Sequence, residues 1–307
     1  IWYRADWFKK AGLNPPNTWE NILEAARYFH KPEINQYGIL IGSKPELYTE
    51  QVFTQFAISN NAQEFNKQGK LVFNSPEMKE TLEFYKKLHK YSPPGPQTWR
   101  GRDYYLQGKL AMLSYSTYIM DDLALAEVAA GSLTGENFTD LSGSSFDPEL
   151  VANTRMVSFI KNRQKSSYGV VVTMGLVKTS SAEKSNAAKQ LLKYMFEEDA
   201  YVTFLHMAPG GMNPVIRSIS KSKAYMNDSK GILRKYGEEK VFEIASGLDH
   251  LQKFEIVNGR LFPASGEIFS KKIIPQMIFK TLFENTPSQK ALDWAENEMQ
   301  KVIHNRN

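Results

Sequence analysis

The chain opens Ile1-Trp2-Tyr3-Arg4, passes through Ala11-Gly12-Leu13 and Pro15-Pro16-Asn17-Thr18-Trp19, and continues as Ile22, Leu23, Ala26 and Phe29 at helical spacing. An aromatic, strand-like start is followed by a glycine suited to a helix C-terminus, because glycine alone enters the left-handed region without penalty. Two prolines make a stiff connector, and Thr18 is placed to cap a second helix whose apolar face is Trp19, Ile22, Leu23, Ala26 and Phe29. Ile1 stands inside an apparent structural element, so this stretch reads as the middle of a fold.

Similar signals recur outward from that stretch. Ser75-Pro76 is a cap followed by proline at the first helical position, with Met78, Leu82, Tyr85 and Leu88 at helical spacing. Ser181 opens a helix carrying Ala188, Leu191, Leu192 and Met195, and Ser288 opens a terminal one carrying Ala291, Leu292, Ala295, Met299 and Val302. All three stripes read as core-facing. Short strands are expected at Tyr37–Ile41, Lys70–Phe73, Leu110–Ser114 and Gly169–Val177, each apolar or β-branched and flanked by turn formers. Strands alternating with helices define an α/β architecture. The polar interval Gly131–Ser167 is long for a plain connection and reads as an excursion with its own local structure.

Composition narrows the class. At 307 residues the chain is long enough for about two domains, and its hydrophobic content of 42% and charged content of 23% are ordinary for a globular protein. Thirty-eight Lys and Arg oppose 33 Asp and Glu, for a net charge of +5. The charges are scattered, with short pairs such as Lys9-Lys10, Lys86-Lys87 and Lys271-Lys272, which argues for a solvated surface over a nucleic-acid interface. Without cysteine there is no disulfide, thiolate metal site or cysteine nucleophile. No apolar run reaches the ~18 residues of a membrane helix.

Four segments, in order, carry a resemblance. Besides the opening, these are Gly69-Lys70-Leu71-Val72-Phe73-Asn74-Ser75-Pro76-Glu77 with Leu82-Glu83-Phe84-Tyr85, then Tyr105-Leu106-Gln107-Gly108-Lys109-Leu110-Ala111-Met112, then Ser288-Gln289-Lys290-Ala291-Leu292-Asp293-Trp294-Ala295. Together they resemble the bacterial extracellular solute-binding proteins of the sugar-binding type, relatives of the maltose-binding protein. Leu106 stands where that family has a phenylalanine, and Tyr118 where it often has a tryptophan. The resemblance implies a two-lobed type II periplasmic-binding-protein fold, the Venus flytrap, with three crossings between lobes. The opening would follow the first crossing, so a segment of roughly a hundred residues, part of a domain-sized lobe, is expected to precede it. On that reading 1–168 and 214–307 form a complete C-terminal lobe. Residues 169–213, with Gly169–Val177 as the crossing strand, are a remnant of an incomplete N-terminal lobe, too few to make a core alone.

The implied function is extracytoplasmic capture of a carbohydrate by hinge closure, because only the closed form lets both lobes touch the ligand. Delivery goes to the membrane permease of an ABC transporter, with no cofactor, metal or nucleic acid involved, from a protein that is monomeric when intact and periplasmic or anchored outside the membrane. Sugars offer C–H faces to aromatic rings and hydroxyls to directional donors and acceptors. At matched positions the candidates are Tyr48, Glu50, Trp99, Tyr115 and Tyr118, and, near the crossings, Met174, Gly175, Gly210, Gly211, Met212, Asn213 and Glu267. Each ring taken alone reads equally as packing, and Gly210-Gly211 equally as a turn after a helix.

Enzyme signatures are weak. There is no glycine-rich phosphate loop and no His-Glu-x-x-His, and the five histidines are dispersed. Ser181-Ala182-Glu183-Lys184 fits a serine-x-x-lysine pattern, but the elements that accompany it in penicillin-interacting enzymes are absent and a helix cap explains the serine. Asp121-Asp122 reads as a solvated pair on a helix. The alternatives are a same-fold binder of a polyamine, iron or a phosphorylated compound and, further off, a carbohydrate-active hydrolase whose paired carboxylates sequence spacing cannot identify.

Overall fold

A computed structural model describes residues 1–124, 150–178, 181–257 and 259–305. Its centre is a four-stranded sheet of β1 (Trp2–Arg4), β2 (Tyr37–Leu40), β3 (Leu110–Leu113) and β4 (Thr154–Met156), in the spatial order β2-β3-β1-β4. β2 and β3 run parallel, with Ile39 opposite Met112, while β1 is antiparallel to both β3 and β4. β2 and β3 are buried along their whole length, as apolar runs between helical layers should be.

Local chemistry sets the helices around this sheet. Gly12 ends α1 (Ala5–Ala11) at φ +67°, its N–H reaching back to Lys9 O. The Thr18 side chain accepts from Asn21 N to cap α2 (Trp19–Phe29), and the Asn21 amide donates on to Pro15 O, stapling the helix to the proline connector. α2 lies tight on β2, because a Cβ at Gly38 would collide with the Ala26 carbonyl. Ser75 caps α4 (Pro76–His89) through Met78 N, and Met78, Leu82, Tyr85 and Leu88 are all fully buried, as their spacing predicts.

The core joins α2, α3 (Leu47–Ser59) and α4. Trp19 stacks on Phe84 at 4.0 Å and donates from Nε1 to Ser59 Oγ at 2.9 Å. Tyr85 meets Phe53 and Phe56 edge-on and sends its hydroxyl to Gly42 O. Across the back of the core, Asn60 links Glu77 O, Glu80 and Asn162, and Arg163 pairs with Glu77 and Glu80. That network fastens the small hairpin of Ile160–Lys161 and Lys165–Ser166 to α3 and α4. The terminal helices Ile273–Phe283 and Ser288–His304 close the outer layer, the latter burying Ala291, Leu292, Ala295, Met299 and Val302 as expected.

Three expectations need correction. Lys70–Phe73 forms no strand; it contributes one isolated bridge, Phe65 to Leu71, because Phe73 sinks into the core and ends the pairing before α4 begins. Gly169–Val177 is not a strand either: among the described residues no strand pairs with it, and Val172 and Val177 are 84% and 90% exposed. The helix Ala182–Tyr194 forms behind its Ser181 cap, but it buries no residue and leaves Leu191 and Tyr194 in solvent. Its apolar stripe is real and has nothing to pack on among the described residues. Of the Gly131–Ser167 excursion, 131–149 lies outside the described residues, and the remainder supplies a short helix at Leu150–Asn153, β4 and the small hairpin.

Candidate ligand-binding site

Parallel β2 and β3 deliver their carboxyl ends to the same edge of the sheet, the position at which open α/β sheets hold ligands. The loops leaving that edge are 41–46 and 114–118, and α3 starts there. Tyr48, in the first turn of α3, is buried and donates its hydroxyl to Ser114 O at 2.6 Å; its ring lies 6.2 Å from that of Tyr115. Arg102, at the start of α5 (Arg102–Leu106), donates from Nη1 to the Tyr115 hydroxyl at 3.2 Å. The Arg102 Nε lies 3.0 Å from Asp122 Oδ2 on α6 (Ile119–Ala124).

Two exposed rings lie on the neighbouring loops. Trp99 is 40% exposed, with the guanidinium carbons of Arg100 and Arg102 at 5.0 and 5.2 Å from its centroid, and its backbone N–H donates to Glu46. Tyr118 is 48% exposed and lies against Gly211, where a Cβ would sit 2.6 Å from Tyr118 Cε1. Gly210, at φ +84°, lets the turn 209–212 close over Met120. Asn213 donates both to Gly210 O and to Thr117 Oγ1, tying that turn to the loop bearing Tyr118. Met212 is half-buried behind it, its carbonyl facing the Tyr225 hydroxyl.

Tyr48, Trp99 and Tyr115 therefore gather around Arg102, and Gly210, Gly211, Met212 and Asn213 gather around Thr117 and Tyr118, the two groups joined by the loop 114–118. Glu50 does not join them: it is buried in a separate crevice with Glu64 and Tyr168. Glu267 sits on the helix Pro263–Ser270, 3.3 Å from Lys271 Nζ. Met174 and Gly175 lie in the exposed 169–178 stretch, with open space around Gly175. Sequence reasoning missed Arg102, and it misread Asp122, which is 6% exposed and paired with Arg102 instead of solvated. The signal available was weak: α5 brings Arg102 back over α6, a contact between residues twenty apart with no spacing rule.

Electrostatics make this face a set of neutral donors and acceptors around the Arg102–Asp122 ion pair, with Arg100 beside Trp99. Burial pushes the Tyr48 hydroxyl well up, and it raises Tyr115 against the opposing pull of Arg102. Burial also opposes the charge on Arg102, but the Tyr115 hydrogen bond and the carboxylates of Asp122 and Asp103 more than restore it. Asp103 is held up at about 6, by burial first, with Arg102 pulling the other way. Both tyrosines thus keep their protons at neutral pH. Flat rings beside a carboxylate and a guanidinium suit a neutral polyhydroxyl compound, with C–H faces on the rings and hydroxyls bridging the charged pair.

Solved structures place the whole architecture in the type II periplasmic solute-binding fold. A solute-binding protein of an ABC transporter from Thermotoga lettingae, bound to α-D-tagatose, matches with a TM-score of 0.69 at 21% identity, over 98% of this chain and 69% of its own. One from Agrobacterium radiobacter K84, in complex with ribitol, gives 0.68 at 20% identity, over 98% and 68%. The sequence pattern of the bacterial extracellular solute-binding proteins matches residues 1–202, and the chain belongs to that family. Among curated relatives, the Escherichia coli K12 protein YcjN, named as a periplasmic-binding protein of an ABC transporter, is 26% identical over 306 residues. That alignment takes in 99% of this chain, which spans 65% of the length of YcjN.

Proposed function

We propose that this protein captures a neutral sugar or polyol outside the cytoplasmic membrane and hands it to the permease of an ABC transporter. The observation that carries the reading is the Tyr118 ring, half-exposed on Gly211, in the loop whose Tyr115 hydroxyl accepts from Arg102, at the carboxyl end of β3. Relatives of the same fold supply the ligand class: ribitol and tagatose are bound by the two solved neighbours. The rival ligands fit less well. A polyamine would find its approach lined by Arg100 and Arg102, and the Asp122 and Glu46 carboxylates beside them oppose a phosphate ester. No helix among the described residues is long and apolar enough to cross a membrane.

The second part of the proposal concerns the lobes. Residues 1–168 and 214–307 make one lobe, with 198–213 packed on it through Tyr201, Gly210, Gly211 and Asn213, so that the exposed stretch 169–196, not the whole of 169–213, belongs to a second lobe. The support is the strip of exposed Val170, Val171, Val172, Met174, Leu176 and Val177, continued by Leu191 and Phe196. Apolar surface on that scale marks a place where other protein packs. The aromatic face is then one wall of a cleft, and closure of the opposite wall completes the site.

Capture and release require no bond to be made or broken. Incubation with mannitol or ribitol, followed by amide chemical-shift mapping, is expected to move Tyr118, Gly211, Asn213 and the 114–118 loop, with no new product. Shifts confined to other surfaces, or turnover of an oligosaccharide, would count against the reading.

A further inference from the structure

Away from the aromatic face, five separate parts of the chain meet at a narrow crevice lined by Glu50, Thr54, Glu64, Tyr168, Glu255 and Ser265. Glu50 and Thr54 come from α3. Glu64 comes from the loop behind α3, and Ser265 from the helix Pro263–Ser270, which is held there by Phe262 stacked on Phe65 at 5.3 Å. Tyr168 is the last residue before the chain leaves for 169–178. Its neighbour Ser167 is clamped on both sides, donating to His250 O and accepting from Gln252 N. The crevice is thus the joint at which the crossing segment is rooted in the lobe.

Its chemistry is unusual for a joint. Glu50 and Glu64 are 4% and 3% exposed, and among the described residues neither has a cationic partner. Ser265 donates to Glu64 Oε2 at 2.6 Å, whereas Glu50 Oε2 is sealed from solvent without any hydrogen-bond partner. A third carboxylate, Glu255, lines the same space, with Lys253 at the rim 4.0 Å from Glu255 Oε1 and 5.6 Å from the Tyr168 ring centroid. Among the described residues no three acidic or histidine groups are placed to hold a metal ion. An ionised carboxylate with no partner in a dry crevice is costly, and a proton is the ligand that removes the cost. A protonated Glu50 leaves no unpaired charge in the crevice.

We propose that Glu50 and Glu64 form a proton-operated clasp, which when protonated binds α3, the Tyr168 root and the helix Pro263–Ser270 together, and which loosens the root when ionised. Like charges then face each other across the joint, and Glu255 adds a third. The titration falls in a useful range: burial lifts Glu64 to about 7, partly countered by its Ser265 hydrogen bond and reinforced by Glu255. Glu50 is raised well above the ordinary range, by burial first and then by Glu64 and Glu255. The clasp stands independently of what the cleft binds.

The test is hydrogen exchange of the full chain between pH 5.5 and 8, with intrinsic rates corrected for pH, alongside thermal melts. Segments 165–168 and 263–270 are expected to open about tenfold more readily at pH 8 than at pH 5.5, while α2 and the terminal helix stay protected at both. Glu50→Gln, an isostere of the protonated acid, should hold both segments closed at pH 8 and flatten the pH dependence of melting; Glu64→Gln should do the same. If both segments exchange in the wild type at rates independent of pH, or if Glu50→Gln retains the wild-type slope, the clasp does not exist. The wild-type profile decides the question even if one variant fails to fold. No sugar enters the experiment, so its failure leaves the cleft reading untouched.

Discussion

Gly211→Ala tests the aromatic face with one methyl group. The added Cβ would lie 2.6 Å from Tyr118 Cε1 and 2.9 Å from Cγ. Carbon atoms settle at about 3.5–4.0 Å, so the ring has to retreat by about 1 Å or swing away. Because Tyr118 is 48% exposed, solvent is available to receive it, and the cost to folding stays below the ~1–3 kcal/mol of overpacking a closed core. What is lost is the ring's position. Stacking geometry contributes about 0.5–1.5 kcal/mol, so the affinity for ribitol or mannitol should fall by about 2- to 13-fold. Calorimetry on Gly211→Ala, Tyr118→Ala and the double variant closes the cycle, and the double variant should bind no more weakly than Tyr118→Ala alone. Additive losses, or undiminished affinity in Gly211→Ala, would refute the claim that Gly211 acts by seating Tyr118.

Further outcomes follow from the same contacts. Arg102→Met keeps the packing against Trp99 but removes the donor to Tyr115 and the partner of Asp122, so sugar affinity should drop at least about tenfold, as loss of a charge-assisted hydrogen bond predicts. Val172→Ser, at an 84% exposed site, should change the stability of this chain by less than about 0.5 kcal/mol, whereas Ile39→Ala in the fully buried β2 should cost about 2–5 kcal/mol in denaturant melts. For pH, Glu64 is raised from the ordinary 4.5 to about 7, so the folded protein holds a proton that the unfolded chain releases. Its contribution is fully present below pH 4.5 and lost as pH rises through 7, a fall of roughly 3 kcal/mol that urea midpoints across pH 4 to 8 would track.

Elements whose causes are local were readable in the sequence. The Gly12 terminus, the Thr18 and Ser75 caps and the stripe Met78, Leu82, Tyr85, Leu88 depend on neighbours within a few residues, and each stands as expected. Strand assignments carry less local information, since a strand exists only through its partner. Leu110–Leu113 has β2 and β1 beside it and pairs, whereas the equally β-prone Gly169–Val177 has no partner strand among the described residues and does not. The stripe of Ala182–Tyr194 makes the same point for helices: periodicity records a face meant for burial, not the surface that covers it.

The candidate face was legible where family position and ring chemistry coincide, and obscure where its geometry rests on long-range pairing. Tyr48, Trp99, Tyr115 and Tyr118 could be picked out as rings near loop ends, and Gly210-Gly211 as a place of close approach. Arg102 could not, because its value comes from Asp122 and Tyr115 across a turn of chain. Glu50 shows the converse. It sits two residues from Tyr48, and on a helix that spacing sends the side chain to a different face, away from the rings and into the joint.

The central claim is that the face around Tyr118 recognises a neutral polyhydroxyl ligand. Titration calorimetry of this chain, wild type and Tyr118→Ala, against ribitol, mannitol, tagatose, maltose, spermidine and glucose 6-phosphate addresses it directly. The account predicts heat from at least one of the four neutral compounds, weakened by Tyr118→Ala, and none from the amine or the phosphate ester. Binding of spermidine or glucose 6-phosphate in preference to every neutral compound, or sugar binding indifferent to Tyr118→Ala, would contradict it.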